Sequence, residues 1–95
     1  MNDSLLGFER ISIPDGLAIP IIQYLRDFMG RQYLRVDPTD GLYDRYGIVD
    51  EDVDDFILSV AESYGRRPPK DTSYLEKEIL TIEDVAKFVM TFPQK

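Results

Sequence analysis

The spacing of apolar residues in the middle of the chain constrains the fold more than any other feature of the sequence. Between positions 51 and 64 these residues recur at i, i+3, i+4, i+7 and i+11, the spacing of one helix face. They are Val53, Phe56, Ile57, Val60 and Tyr64. Asp50 is the predicted N-cap, and acidic residues fill the first turn, where the helix dipole favours negative charge. Gly65 follows at the position of a left-handed C-cap. We therefore predict an amphipathic helix over residues 51–64.

A second helix is predicted over residues 19–29. Pro20 fits its first position, and Gly30 is a plausible stop. The expected inner stripe is Ile21, Leu25 and Phe28, widened by Ile22 and Met29. The connection that follows, 31–47, is long and has its strongest turn signal at 37–41, so it needs anchors in the core. The predicted anchors are Leu34, Val36, Leu42 and Tyr46.

The last helix is predicted to begin at Thr81, with Asp84 three residues later as a weaker form of the capping box, and to end at Pro93. Its expected inner face is Ile82, Val85, Ala86 and Val89, with Met90 at the edge. A short helix or turn is expected over residues 74–79. Three main helices and one short helix predict an all-α fold, a small four-helix bundle.

A chain of 95 residues is long enough for one compact domain with one hydrophobic core. We interpret residues 1–16 as an N-terminal arm that docks Phe8, Ile11 and Ile13 onto the core and turns at 14–16. Residues 17–95 then form the helical domain.

Composition excludes several classes of function. The chain has no Cys and no His, so catalysis by a thiolate or imidazole and thiolate zinc sites are impossible. Its net charge of -7 disfavours nucleic acid and anionic lipid and favours a basic protein partner. The longest apolar run, 17–22, is too short to span a membrane. We expect a cytoplasmic protein that is not an enzyme and has no cofactor.

Two charged clusters in the sequence, one acidic and one basic, are explained without a bound ligand. The spacing of Asp50, Asp52 and Asp54 is similar to a calcium loop, but the sixth position lacks Gly and the twelfth lacks Glu. The basic segment 66–70 is interpreted as a solvated loop, because a nucleic-acid site needs more positive charge. We therefore predict neither a metal site nor a nucleic-acid site.

A longer pattern resembles the acyl carrier proteins. The run LYDRYGIVD at 42–50 leads directly into the acidic helix, and LTIEDVAKFV follows at 80–89. The family pattern is roughly F-x-x-D-L-G-x-D-S-L-D before its second helix, and T-[VI]-x-D-[AVL] at the start of its closing helix. The resemblance covers residues 19–92. Residues 47–52, GIVDED, are closer to a divergent bacterial branch of unknown function with a G-I-D-x-D-D helix start. The resemblance implies an acyl-carrier-type bundle.

The sequence departs from the family at the position that matters most for carrier chemistry. Counting from Gly47, the serine that receives phosphopantetheine in the family is replaced by Asp50. A carboxylate cannot form the phosphodiester to this prosthetic group. Ser59 and Ser63 lie deeper in the predicted helix, away from its N-terminal turn. Asp50 is then either an ordinary N-cap or an imitation of a phosphoserine at a helix N-terminus.

The resemblance also implies a surface for partners. In the family, an acidic second helix binds Arg and Lys patches of enzymes, and the matching positions here are Asp52, Asp55, Leu58 and Glu62, together with Asp50. Leu58 is either such a contact or an isolated exposed apolar residue. Glu51 and Asp54 stand where the family has apolar residues, which makes this surface more acidic.

Two functions remain open at this point. The leading hypothesis is an acyl-carrier-like interaction module for a basic protein surface, such as an acyl-transfer or lipid-synthesis enzyme. The alternative is an acidic inhibitor or immunity-type protein that blocks a basic partner. The acyl-binding space of the carriers would be filled or lined by Ile57, Val60, Val85 and Phe88.

Overall fold

The computed structural model describes residues 3–67 and 79–94, and this part of the chain is a small, mostly helical domain. Its five helices are α1 (Asp3–Arg10), α2 (Asp15–Met29), α3 (Leu42–Tyr46), α4 (Asp50–Ser63) and α5 (Ile82–Met90). No strand occurs within the described ranges, which confirms the all-α prediction for them. The short helix or turn expected at 74–79 falls, apart from Ile79, outside the described residues.

Helix α2 lies at the centre of the domain and packs against α1, α4 and α5. Its apolar face, Leu17, Ala18, Ile21, Ile22 and Leu25, is buried. The same core takes in Phe56, Ile57 and Val60 from α4, as well as Ile82, Val85, Ala86 and Val89 from α5. In this respect the periodicity predicted the buried faces correctly. The prediction that Phe28 belongs to the inner face of α2 is wrong, because 41% of this residue is exposed.

The start of α2 corrects the predicted boundary. The carbonyl of Pro14 accepts hydrogen bonds from the N–H groups of Leu17 and Ala18, both at 3.0 Å, so the helix begins at Asp15. Residues 14–16 are therefore a helix start and not a separate turn. Pro20 lies inside the helix and not at its first position. Pro20 is the sixth residue of α2, so its missing N–H removes one hydrogen bond of the second turn.

The N-terminal segment is helical and belongs to the core. Phe8 of α1 is wholly buried, Ile13 is 2% exposed, and Ile11 packs against the core from its edge. The predicted docking of these three residues is confirmed, although the helix itself was not predicted. A tight turn at Ser12, with φ of +63°, connects α1 to the segment before α2.

The long connection between α2 and α4 is held by buried anchors, as predicted. Gly30 ends α2 in the left-handed conformation, and the four anchors Leu34, Val36, Leu42 and Tyr46 are all buried. The connection contains α3, which the sequence did not predict. Its turn at 37–41 is fixed to the start of α5, since the N–H groups of Ile82 and Glu83 donate to the carbonyls of Asp40 and Pro38.

The ends of α4 and α5 test the capping predictions. Val49 occupies the N-cap position of α4 and Asp50 is its first helical residue, so the prediction of Asp50 as the N-cap is wrong. Gly65 has φ of +74°, which agrees with a left-handed residue after the helix. At α5 the capping box of Thr81 and Asp84 is present as predicted. That helix ends at Met90, which is exposed.

Candidate functional site

An exposed line of residues runs along α4 on the side away from the core. Its members are Glu51, Asp55, Leu58 and Glu62, and we call them the α4 stripe. They are spaced i, i+4, i+7 and i+11, so they share one helix face. All four are exposed, Leu58 by 40%. The stripe therefore presents one apolar side chain between carboxylates.

The structure separates the residues that the sequence grouped together. Asp55, Leu58 and Glu62 lie in the stripe, whereas Asp52 is half-buried on the flank of α4 that faces α2. Asp50 contributes the first backbone unit of the helix. Glu51 was predicted only as a departure from the carrier pattern, yet it completes the stripe. Its position four residues before Asp55 was the signal that could have shown this.

Asp54 lies on the opposite flank of α4 from Asp52. Its side chain is half-buried, and Oδ1 has no hydrogen-bond partner among the described residues. A carboxylate oxygen without a partner is costly to bury, so this position costs the fold some stability.

Tyr24 of α2 is a member of the site that the sequence did not reveal. Its hydroxyl donates a 2.8 Å hydrogen bond to Oδ2 of Asp55, and its ring stacks on Phe56 with 4.6 Å between centroids. Burial, followed by the hydrogen bond to Asp55 and the charges of Asp55 and Asp52, raises the pKa of Tyr24. Tyr24 thus stays protonated and holds one carboxylate of the stripe in place.

In the described part of the chain, the ion pairs lie away from the acidic residues of α4. The helix carries six acidic residues and no basic one. Across the described residues, no ion pair involves Glu51, Asp52, Asp55 or Glu62; the ion pairs there join Arg45 to Asp40 and Lys87 to Glu83. This face therefore presents a strong negative potential to a partner.

Residues with possible roles in metal, prosthetic-group or acyl binding were also located in the structure. The described part of the chain contains no group of three or more side chains able to hold a metal ion. Ser59 and Ser63 lie in the C-terminal half of α4, as predicted, and not at its N-terminal turn. Of the residues expected to fill or line an acyl-binding space, Ile57, Val60 and Val85 are buried in the core, and Phe88 packs edge-on against Phe92.

Fold and site together define a small helical domain with an acidic, partly apolar helix face. None of the described helices is long and apolar enough to cross a lipid bilayer. Comparisons with protein-family models, with curated proteins and with solved structures find no match to this chain.

Proposed function

We propose that this protein is an acyl-carrier-like interaction module without a prosthetic group, which binds a basic protein surface through the α4 stripe. The partner class we propose is a cytoplasmic acyl-transfer or lipid-synthesis enzyme. The observation that carries the proposal is the acidic stripe with Leu58 at its centre, which has no ion-pair partner among the described residues. The carrier assignment rests on the resemblance at 42–50 and 80–89.

The arrangement around α4 supports a carrier-like origin. A left-handed Gly47, with φ of +69°, lies two residues before Val49, the extended N-cap of this helix. The long preceding connection is anchored on the core, and α5 begins with the Thr81 capping box. This order of elements agrees with the order in the carrier pattern. By the resemblance, Asp50 corresponds to the modified serine of the carriers, and its carboxyl cannot accept phosphopantetheine.

The physical role of each group in the stripe differs. Carboxylates on an exposed face mainly increase the association rate and select a basic partner, whereas burial of an apolar side chain contributes affinity. The proposal therefore assigns steering to Glu51, Asp55 and Glu62, and the buried contact to Leu58. Added salt should weaken the complex, because the Debye length shrinks to about 3 Å at 1 M.

The test is capture of a partner from the native cell with the full chain immobilised. We expect a retained protein that is lost from the double variant Glu51→Lys, Glu62→Lys and kept by the control Glu9→Lys, Asp44→Lys, which has the same total charge. Equal retention by both variants would contradict docking at the stripe. An acyl-transfer or lipid-synthesis enzyme supports the carrier-like assignment, whereas a toxin or nuclease that the chain inhibits supports the alternative.

A second measurement tests the absence of the prosthetic group. The chain is incubated with coenzyme A and a phosphopantetheinyl transferase, and its intact mass is then measured. We expect no gain in mass under conditions that fully modify a standard acyl carrier protein. A stoichiometric gain on any serine would contradict this part of the proposal.

A further inference from the structure

A surface groove of about 370 Å³ lies between α2 and α4, beside the α4 stripe. Ile19, Gln23 and Asp27 line it from α2, and Ser59, Val60 and Ser63 line it from α4. Ser59 and Ser63 are one helical turn apart, so two small side chains share the face of α4 that borders the groove. Their small size leaves open the space that longer side chains would fill.

The groove combines an apolar wall with a buried apolar floor. Ile19 remains 45% exposed although it belongs to a helix whose other apolar residues are mostly buried, and Val60 is 1% exposed. The ring of Pro20 also lines this space, and Tyr24, fixed by its stacking on Phe56, closes one side. An apolar side chain from outside would gain contacts there without rearranging the core.

Carboxylates surround this apolar space on both helices. Asp27 is an exposed lining residue on α2. On α4, Asp55 precedes Ser59 by one turn and Glu62 follows it by three residues, which places both near the rim. None of the three has an ion-pair partner within the described chain, and no lining residue is basic. The groove therefore favours a ligand that carries positive charge around an apolar group.

We propose that this groove binds a cationic amphipathic segment of the protein partner. An apolar side chain of that segment packs between Ile19 and Val60, and its Lys or Arg side chains pair with Asp27 on one side and with Asp55 on the other. The net charge of -7 opposes a second copy of this chain, nucleic acid and anionic lipid as the occupant. The inference deepens the proposed function, on which its assignment to a protein partner rests.

The first test uses a synthetic probe and the full, isotope-labelled chain. The probe is a peptide of repeated Lys-Leu-Leu-Lys units, which places Leu and Lys at helical spacing. We expect its binding to shift the amide NMR signals of Ile19, Gln23, Ser59 and Ser63. A peptide with Ala in place of Leu should bind about tenfold more weakly, because it lacks the apolar anchor. Equal binding of the two peptides, or shifts elsewhere on the chain, would overturn the proposal.

Variants of α2 separate the groove from the stripe. Asp27→Lys and Ile19→Ser should each weaken binding of the Leu-containing peptide by about tenfold, whereas Glu9→Lys, the same charge reversal on α1, should leave it within about twofold. Far-ultraviolet circular dichroism checks that every variant keeps its helix content. Unchanged peptide binding by both groove variants would refute the proposal that the peptide binds in the groove. That result would not contradict capture of a partner through the α4 stripe. A failed capture experiment, in turn, would not contradict peptide binding to the groove.

Discussion

The hydroxyl of Tyr24 and the carboxylate of Asp55 join α2 to α4 through a 2.8 Å hydrogen bond, although the two residues are 31 positions apart in the chain. The bond links the buried interface of the two helices to the exposed α4 stripe. Stacking of the Tyr24 ring on Phe56 fixes the hydroxyl from the other side. One carboxylate of the stripe is therefore held in place by α2.

Removal of this hydroxyl tests its contribution to stability. We expect Tyr24→Phe to lower the free energy of unfolding by about 1 kcal/mol, since water can replace the lost donor at the exposed Asp55. Urea denaturation followed by circular dichroism measures the change. Tyr33→Phe is the control, because Tyr33 is 86% exposed. A loss of equal size in both variants would show that the bond to Asp55 does not matter.

The pH dependence of stability at high pH should reflect the ionisation of two tyrosines. Burial, followed by a hydrogen bond to a carboxylate, raises the pKa of Tyr24 and that of Tyr46, whose hydroxyl donates to Asp40 at 2.8 Å. A pKa that is higher in the folded state favours folding while the hydroxyl is protonated. The contribution is present below the unfolded value of about 10 and is lost as pH rises through the folded values.

We therefore expect the free energy of unfolding to fall as pH increases above about 10. The double variant Tyr24→Phe, Tyr46→Phe should fall less steeply over the same range in a series of urea titrations. The matched control replaces Tyr33 and Tyr43, which are 86% and 69% exposed, with Phe. If this control flattens the pH dependence as much as the double variant does, the assignment to the buried tyrosines is wrong.

Sequence periodicity predicted the elements that are long or carry a strong end signal. The apolar spacing from Val53 to Tyr64 predicted both ends of α4 to within one residue. The Thr81 and Asp84 pair predicted the start of α5. These features are local, because each depends on residues within a few turns of one helix. The resemblance to the carrier proteins selected Asp55, Leu58 and Glu62, and all three are exposed on α4.

The remaining features depend on contacts between distant segments. Helix α3 spans five residues, too few for a periodic pattern, and its first N–H donates to the carbonyl of Leu80. The start of α2 was predicted at Pro20, because proline suits the first helical position, whereas the helix begins at Asp15, directly after Pro14. The role of Tyr24 required the pairing of α2 with α4. No spacing within a single segment could have predicted these contacts.

Glycine substitutions test how closely α1 packs. A Cβ at Gly7 would lie 2.9 Å from Cδ of Pro38, so the buried proline or α1 must shift. We expect Gly7→Ala to cost about 1–3 kcal/mol through overpacking. Gly16→Ala is the matched control, because its Cβ would meet Tyr64 at 3.6 Å, an ordinary contact, and alanine favours the helix. Thermal unfolding should show a lower midpoint for the first variant and an equal or higher one for the second.

The capping box of α5 can be removed with a small change. Thr81 Oγ1 accepts from the N–H of Asp84 at 3.2 Å, and Asp84 Oδ2 accepts from the N–H of Thr81 at 3.1 Å. Thr81→Ala removes the first bond and should cost about 1 kcal/mol. Thr81→Ser keeps the acceptor and should retain most of the stability in the same urea titration. A serine variant as unstable as the alanine variant would mean that packing of the threonine methyl, and not capping, stabilises this end.

Substitutions of Leu58 and Val60 separate a contribution to binding from a contribution to folding. Leu58 is 40% exposed on α4, whereas Val60, two positions later on the same helix, is 1% exposed. We expect Leu58→Ser to change the free energy of unfolding by less than about 0.5 kcal/mol, and Val60→Ser to lower it by about 2–3 kcal/mol. Capture of the basic partner should nevertheless fall with Leu58→Ser, because the complex loses its central apolar contact. Destabilisation comparable to that of Val60→Ser would assign Leu58 to the fold. Undiminished capture by a stable Leu58→Ser chain would remove it from the interface.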